Sequence, residues 1–307
     1  MHAMLLTTIL GLLLAAQAPQ EPAAKTRYEY GSDFVSFVGR DEKGRVAFAL
    51  DTNRGRDREK FQAEHFGVLY AEGTGWVALE GNGEFANPDA KLRELASSKH
   101  YRYDGTPTTG LKIVGATNSL ELVVEPFTLH THRERKGATF DTGSAAATLT
   151  WKGRKLVGRA IYEGCYLPDT NLIADPDMDY FGDGWHGLYA LVDGVGDLRL
   201  HLAAGDVSKL VLPQQGFLVL DGEPRLAKKL DFVAEDWSQG GGFFRWPSRW
   251  RASWLDREKA AKLELALTER EVILTWVVGG FAVAIAKGEL VIDGVKHEVW
   301  GLGQIIR

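Results

Sequence analysis

Ala147-Thr-Leu-Thr-Trp-Lys-Gly-Arg-Lys-Leu-Val-Gly-Arg-Ala-Ile-Tyr-Glu-Gly164 is the stretch that decides the fold. Apolar residues alternate on either side of Lys152-Gly153, the period-two signature of two half-buried antiparallel strands joined by a tight turn. A fainter copy closes the chain. Ala147, Lys152, Gly153 and Glu163 recur without a gap as Ala282, Lys287, Gly288 and Glu298, 135 residues later. Both copies read as a hairpin turning at Lys-Gly, so the sequence predicts a duplicated all-β protein.

Working outward, Phe34-Val-Ser-Phe-Val38 and Val46-Ala-Phe-Ala-Leu50 flank Asp41-Glu-Lys-Gly-Arg45 as a second hairpin. Further strands are expected at 66–71, 75–79, 111–115, 119–132, 185–192, 198–203, 216–220, 225–232, 249–255, 262–267 and 272–276. Only Pro88 to His100 reads as helix. The turn formers and acidic residues between Pro168 and Gly184 mark a crossover between halves. Many short strands separated by Gly and Asp turns favour barrels or sandwiches over an α/β fold.

With 307 residues the chain can bury a large core, and 45% hydrophobic and 25% charged residues make it globular. A formal net charge of −5 gives no basic excess for nucleic acid or an anionic membrane. Met4 to Ala16 is an apolar run too short for a comfortable span, followed by Ala16-Gln-Ala18, a small-x-small cleavage form. Residues 1–18 are therefore expected to be an export signal and 19–26 a leader, with no integral span after signal removal. Cys165 is the only cysteine, so no intramolecular disulfide can form. Export without disulfides points to a periplasmic or secreted protein of a bacterial envelope, and Cys165 reads as a small buried residue.

Three segments in the second half carry a resemblance: Gly184-Trp-His-Gly-Leu-Tyr-Ala-Leu-Val-Asp-Gly194, the strand turn Gly216-Phe-Leu-Val-Leu-Asp-Gly222, and Trp246-Pro-Ser-Arg-Trp-Arg-Ala-Ser-Trp254. In order and spacing residues 140–307 resemble the AttH-like and carotenoid hydratase group of tandem lipocalin-like proteins. The family's Trp-Glu-Gly opening of the last hairpin is Trp276-Val-Val-Gly279 here, so its glutamate is missing. The resemblance implies two lipocalin-like antiparallel barrels with little helix, residues 27–170 and 171–307, and an apolar pocket between or within them. Members of the wider group hydrate or cyclise apolar substrates.

Candidate ligand contacts are Trp185, Tyr189, Trp237, Trp246, Trp250 and Trp254. Alternation puts Trp250, Ala252 and Trp254 on one strand face, where aromatic walls suit a lipid or isoprenoid or serve equally as barrel core. Asp183 and His186 are the candidate catalytic pair, an acid and a base for adding water to an alkene. His130 and His132 share a face in a regular strand, a possible metal pair with no evident third ligand. Asp175, Asp177 and Asp179 have calcium-loop spacing, but Tyr180 replaces the required glycine. Glu163 and Glu298 occupy matching places in the two copies and read as structural.

The sequence thus predicts an exported lipocalin-like binder of an apolar small molecule, with no cofactor assigned and an optional hydratase or cyclase activity. The alternative is a carbohydrate-binding or structural β-sandwich of the envelope, which would display exposed, coplanar tryptophans.

Overall fold

Alternating apolar residues produce long curled strands in the computed structural model, which describes residues 28–57, 60–83, 85–86, 95, 97–135, 137–167, 185–203, 214–239, 245–276 and 279–306. The first half contains β1 (Tyr28–Asp41), β2 (Gly44–Asp57), β3 (Lys60–Ala71), β4 (Gly75–Val77), β5 (Phe85–Ala86), β6 (Tyr101–Thr106), β7 (Gly110–Gly115), β8 (Leu120–Val124), β9 (Thr128–Arg135), β10 (Ala138–Trp151) and β11 (Arg154–Leu167). The second half contains β12 (Trp185–Val192), β13 (Gly196–Ala203), β14 (Gln215–Leu220), β15 (Glu223–Leu226), β16 (Lys228–Glu235), β17 (Ser238–Gln239), β18 (Arg245–Trp246), β19 (Arg249–Asp256), β20 (Lys259–Trp276), β21 (Gly279–Ile292) and β22 (Val295–Ile306).

Each half is an antiparallel meander whose last strand returns beside its first: β11 on β1, and β22 on β12. The opening of the second sheet falls between β15 and β16, where the chain passes from one edge to the other through Ala227, whose N–H donates to Gly216 O at 2.9 Å. In the first sheet side chains bridge the opening. Asn82 exchanges two hydrogen bonds with the Gly67 backbone, at 2.7 and 2.8 Å, and Asn118 holds Glu80. Satisfying edge strands in this way closes both sheets into barrel-like halves.

Among the described residues, side-chain alternation then sorts most of the apolar core into two barrel interiors and a seam between them. Odd-numbered Ala145, Ala147, Leu149 and Trp151 of β10 enter the first barrel with Val35, Phe37 and Phe48. Leu188, Leu200, Trp250, Leu263 and Ala284 fill the second. The outward parity is apolar too: Phe34, Val38, Ala49 and Ile161 meet Tyr189, Phe217, Ile285 and Leu302 in a seam between the barrels. Strands buried on both faces explain near-continuous burial along β12 and β14.

The opening hairpin turns as expected at Lys152-Gly153, with φ of 48° and 78°, the left-handed pair of a two-residue turn. Its sequence copy does not. Lys287-Gly288 runs on inside β21, and the last hairpin turns at Asp293-Gly294, φ 53° and 79°. Gly288 is required for another reason: a Cβ there would lie 1.9 Å from the Glu264 carbonyl oxygen. Equating the two turns moves the repeat from 135 to 141 residues and makes Gln304 the counterpart of Glu163. Glu298 instead lies beside the turn, exposed and paired with Arg45 at 2.5 Å.

The helix expected over 88–100 is missing from its described part, residues 95 and 97–100. There the Ser98 N–H donates to Tyr101 O at 2.7 Å and the Ser98 hydroxyl accepts from the Tyr101 N–H at 3.1 Å, local bonds that compete with a helix. Among the described residues no helix is long and apolar enough to cross a membrane. Residues 1–26 and the acidic crossover 168–184, with Asp175, Asp177, Asp179 and Asp183, lie outside the described residues.

Candidate functional site between the barrels

Strand β12 divides the aromatic candidates. Its even residues His186, Leu188 and Ala190 point into the second barrel, while odd Trp185 and Tyr189 point into the seam. Inside the barrel, His186 lies 5.5 Å from Trp250 edge-on, 5.1 Å from Phe232 and 6.4 Å from Trp237. Trp246, Trp250 and Trp254 share that core, and Trp250, Ala252 and Trp254 do face one way. The packing is tight. A Cβ on Gly303 would sit 3.0 Å from the Trp250 ring, so that ring already occupies the space of a side chain. Trp185 and Tyr189 are thus not brought to the same wall as Trp246, Trp250 and Trp254, and Asp183 lies outside the described residues.

The seam is where ionisable groups gather. Strand register sets two rows on the face of the first sheet that looks at the second barrel. Glu163, Phe34, Asp51 and Phe66 form one, and Phe140, Cys165, Ser32, Asn53 and Glu64 the other. Asp51 accepts hydrogen bonds from Ser32 Oγ at 2.8 Å and Asn53 Nδ2 at 3.2 Å, and Asn53 in turn accepts from Tyr30. Burial nevertheless dominates and pushes the Asp51 carboxyl up to about 6, with Glu163 and Asp33 adding repulsion. Glu64, buried and next to Asp51, is pushed up to about 7 by burial and then by that neighbouring charge. Glu64 is therefore about half protonated at pH 7, while Asp51 on the same face takes up its proton about one pH unit lower.

Across the seam stands the second barrel's Arg199, fully buried, ion-paired with Glu163 and lying 4.4 Å from the Tyr189 ring centroid. Phe34 packs on the same ring at 4.5 Å. Trp185 stacks on His201 at 4.2 Å and meets Phe140 edge-on at 5.8 Å. Burial, with Arg199 and His186 adding to it, pushes His201 well below the usual imidazole range, so the ring is neutral. A further bridge, Arg159 to fully buried Asp197 at 2.7 Å, ties the barrels together. Burial, then the neighbouring Glu163, Asp33 and Asp51, raises the Cys165 thiol above its ordinary value, which disfavours a nucleophilic role.

Sequence reasoning placed Glu163 as a structural strand end and passed over Asp51, Glu64 and Arg199. Single charged residues within alternating strands look like solvated face until a second sheet covers them. A second shift came from β9, where a bulge opposite Thr142/Gly143 breaks the alternation of the His pair. His130 is turned to the seam, 4.4 Å from Phe217, whereas His132 pairs with Asp141 at 2.6 Å. Among the described residues no three His, Cys, Asp or Glu side chains are grouped to hold a metal.

No protein-family profile matches the sequence, and no curated protein matches it. Solved structures do share its fold. An AttH candidate from Nitrosomonas europaea aligns over 94% of this chain and 97% of its own at 11% identity, with a TM-score of 0.57. Kievitone hydratase from Nectria haematococca aligns over 93% of this chain and 90% of its own at 9% identity, with a TM-score of 0.54. The chain has the tandem lipocalin-like fold of these proteins.

Proposed function

We propose that this chain binds an apolar small molecule between its two barrels and acts on it by proton transfer, as a cofactor-free hydratase or cyclase. The observation that carries the reading is the pair of seam carboxyls, Asp51 and Glu64, pushed up to about 6 and about 7 beside aromatic rings. A carboxylic acid that keeps its proton near pH 7 is the group that protonation of an alkene requires. One carboxyl hydrogen adds to an alkene carbon and the π pair forms the new C–H bond. The cation left on the other carbon is faced by aromatic side chains of the Phe34 and Tyr189 kind. Water then adds, and its released proton returns to the carboxylate. In a cyclase a second alkene of the same molecule attacks in place of water, and the cation this forms loses a neighbouring proton to the carboxylate, leaving a new alkene. Both outcomes conserve electrons and need no redox partner.

Likeness in fold to a protein named as a hydratase agrees with this reading as an analogy. Burial of Trp185, Trp246, Trp250 and Trp254 favours it over a surface platform for carbohydrate. Export to the periplasm or the medium, by an N-terminal segment that is then removed, is part of the proposal. The test is to purify the full chain from the native envelope and identify any retained ligand by native mass spectrometry. Isoprenoid alkenes are then incubated with the protein in heavy-oxygen water. Product that gains one labelled water is expected, and Asp51→Asn should abolish its formation while the ligand is still retained. Full turnover by Asp51→Asn would overturn the mechanism.

A further inference from the structure

Among the described residues, four buried polar atoms on one patch of the seam have no partner: Arg199 Nε, His201 Nδ1, and both amide atoms of Gln215. The three side chains are 1%, 1% and 5% exposed. They come from one face of two adjacent strands, since Arg199 and His201 are two residues apart on β13 and Gln215 lies directly opposite His201 on β14. Folded proteins rarely leave one such atom unpaired, and each such atom calls for a group that can reach it. Here donors and acceptors are mixed, and the surrounding surface is aromatic. Trp185 stacks on His201, Phe140 lies 5.6 Å from that ring, and Phe217 neighbours Arg199 in register.

We infer that this patch recognises a neutral oxygen group, a hydroxyl or carbonyl, at one end of the apolar ligand. The inference rests on the proposed binding of such a ligand in the seam, and specifies its chemistry. An oxygen atom can accept from Arg199 Nε and the Gln215 NH2, and a hydroxyl can also donate to Gln215 Oε1 or to neutral His201. A neutral group fits better than an anion because the Arg199 charge is already matched by Glu163, and Asp51 and Glu64 lie on the opposing face. The ligand is therefore amphipathic, with a hydrocarbon body and one polar end.

The test uses the full chain and four probes sharing one ring system: naphthalene, 2-naphthol, 2-acetylnaphthalene and 2-naphthoate, each titrated by calorimetry. Naphthalene should bind measurably. One or both of 2-naphthol and 2-acetylnaphthalene should bind at least about tenfold tighter, because a site built to hydrogen-bond an oxygen leaves its own polar groups unpaired without it. Which of the two gains more separates hydroxyl from carbonyl recognition, and 2-naphthoate should gain less than either. Gln215→Leu and His201→Phe should each shrink the advantage toward unity while naphthalene affinity stays within about twofold. Naphthalene binding without any oxygen advantage in the unmodified protein would overturn this inference and leave the apolar seam intact. An advantage that survives both substitutions would overturn it as well. Failure of all four probes to bind would overturn the inference and the seam reading together.

Discussion

Glu163 and Gln304 hold equivalent places in the two barrels and meet at one hydroxyl: Tyr189 Oη lies 3.1 Å from Glu163 Oε2 and 2.9 Å from Gln304 Oε1. One proton cannot serve two acceptors. Turning the Gln304 amide so that its NH2 faces the hydroxyl lets Gln304 donate to Tyr189 and Tyr189 donate to Glu163, which satisfies all three. The acid at one of two equivalent positions is thus held by Arg199 and Tyr189, and the amide at the other keeps a second charge out of the seam.

Arg199 and Glu163 are 1% and 7% exposed at their side chains, so removing either leaves a buried partner without its counter-charge. Arg199→Met and Glu163→Gln are each expected to cost roughly 3–5 kcal/mol in urea unfolding. The double variant Arg199→Met/Glu163→Gln should recover most of that loss, because both charges are then gone. A double-mutant cycle measures the coupling directly.

Stability should fall as pH rises through the acid range on account of Asp51 and Glu64. Their folded values, about 6 and about 7, lie above the ordinary 3.8 and 4.5. Between those limits the folded state binds more protons than the unfolded one, so its stability decreases with pH and levels off above pH 7. His201, lowered by burial, acts in the opposite sense as pH falls below the ordinary imidazole value. Comparison with Asp51→Asn/Glu64→Gln isolates the carboxyls. The variant should match the parent near pH 4 and exceed it by at least about 2 kcal/mol at pH 8 in denaturant titrations.

Gly153 and Gly288, matched by sequence, should respond differently to alanine. At Gly153 there is open space, and the cost is that of a left-handed residue, about 1–2 kcal/mol. At Gly288 the methyl would strike the Glu264 backbone, forcing β20 and β21 apart. Gly288→Ala is expected to lower Tm far more than Gly153→Ala, and equal effects would contradict the turn assignment.

Gly303→Ala should cost about 1–3 kcal/mol by driving a methyl into the Trp250 ring and Leu267, at 3.0 and 3.1 Å. Adding Trp250→Phe should return part of the loss. Thermal unfolding of the three proteins distinguishes a packed barrel interior from one with room to spare.

Much of the architecture was legible in the chain because period two is a local property. Each strand's own side chains reveal its two faces, and Lys152-Gly153 announces its turn without outside help. The tandem arrangement also showed, although the repeat was matched six residues short. A Lys-Gly pair fits a turn and a close strand crossing equally well, since both exclude a side chain. At residues 95 and 97–100, the described end of the helix expected over 88–100, and at the single face assigned to His130 and His132, the expectation failed for local reasons of another kind. Ser98 bonds to nearby backbone, and one bulge in β9 reverses alternation for everything after it.

By itself, the sequence determined that the chain forms antiparallel strands, that these fall in two related halves, and which residues could be core. Only the tertiary structure decided that Trp185 and Tyr189 leave the second barrel while His186 enters it, and that Asp51, Glu64, Glu163 and Arg199 converge. The physical reason is the reach of the interactions. A strand's facing depends on neighbours one and two residues away, whereas a carboxyl's proton affinity depends on a covering sheet supplied by residues more than a hundred positions along the chain.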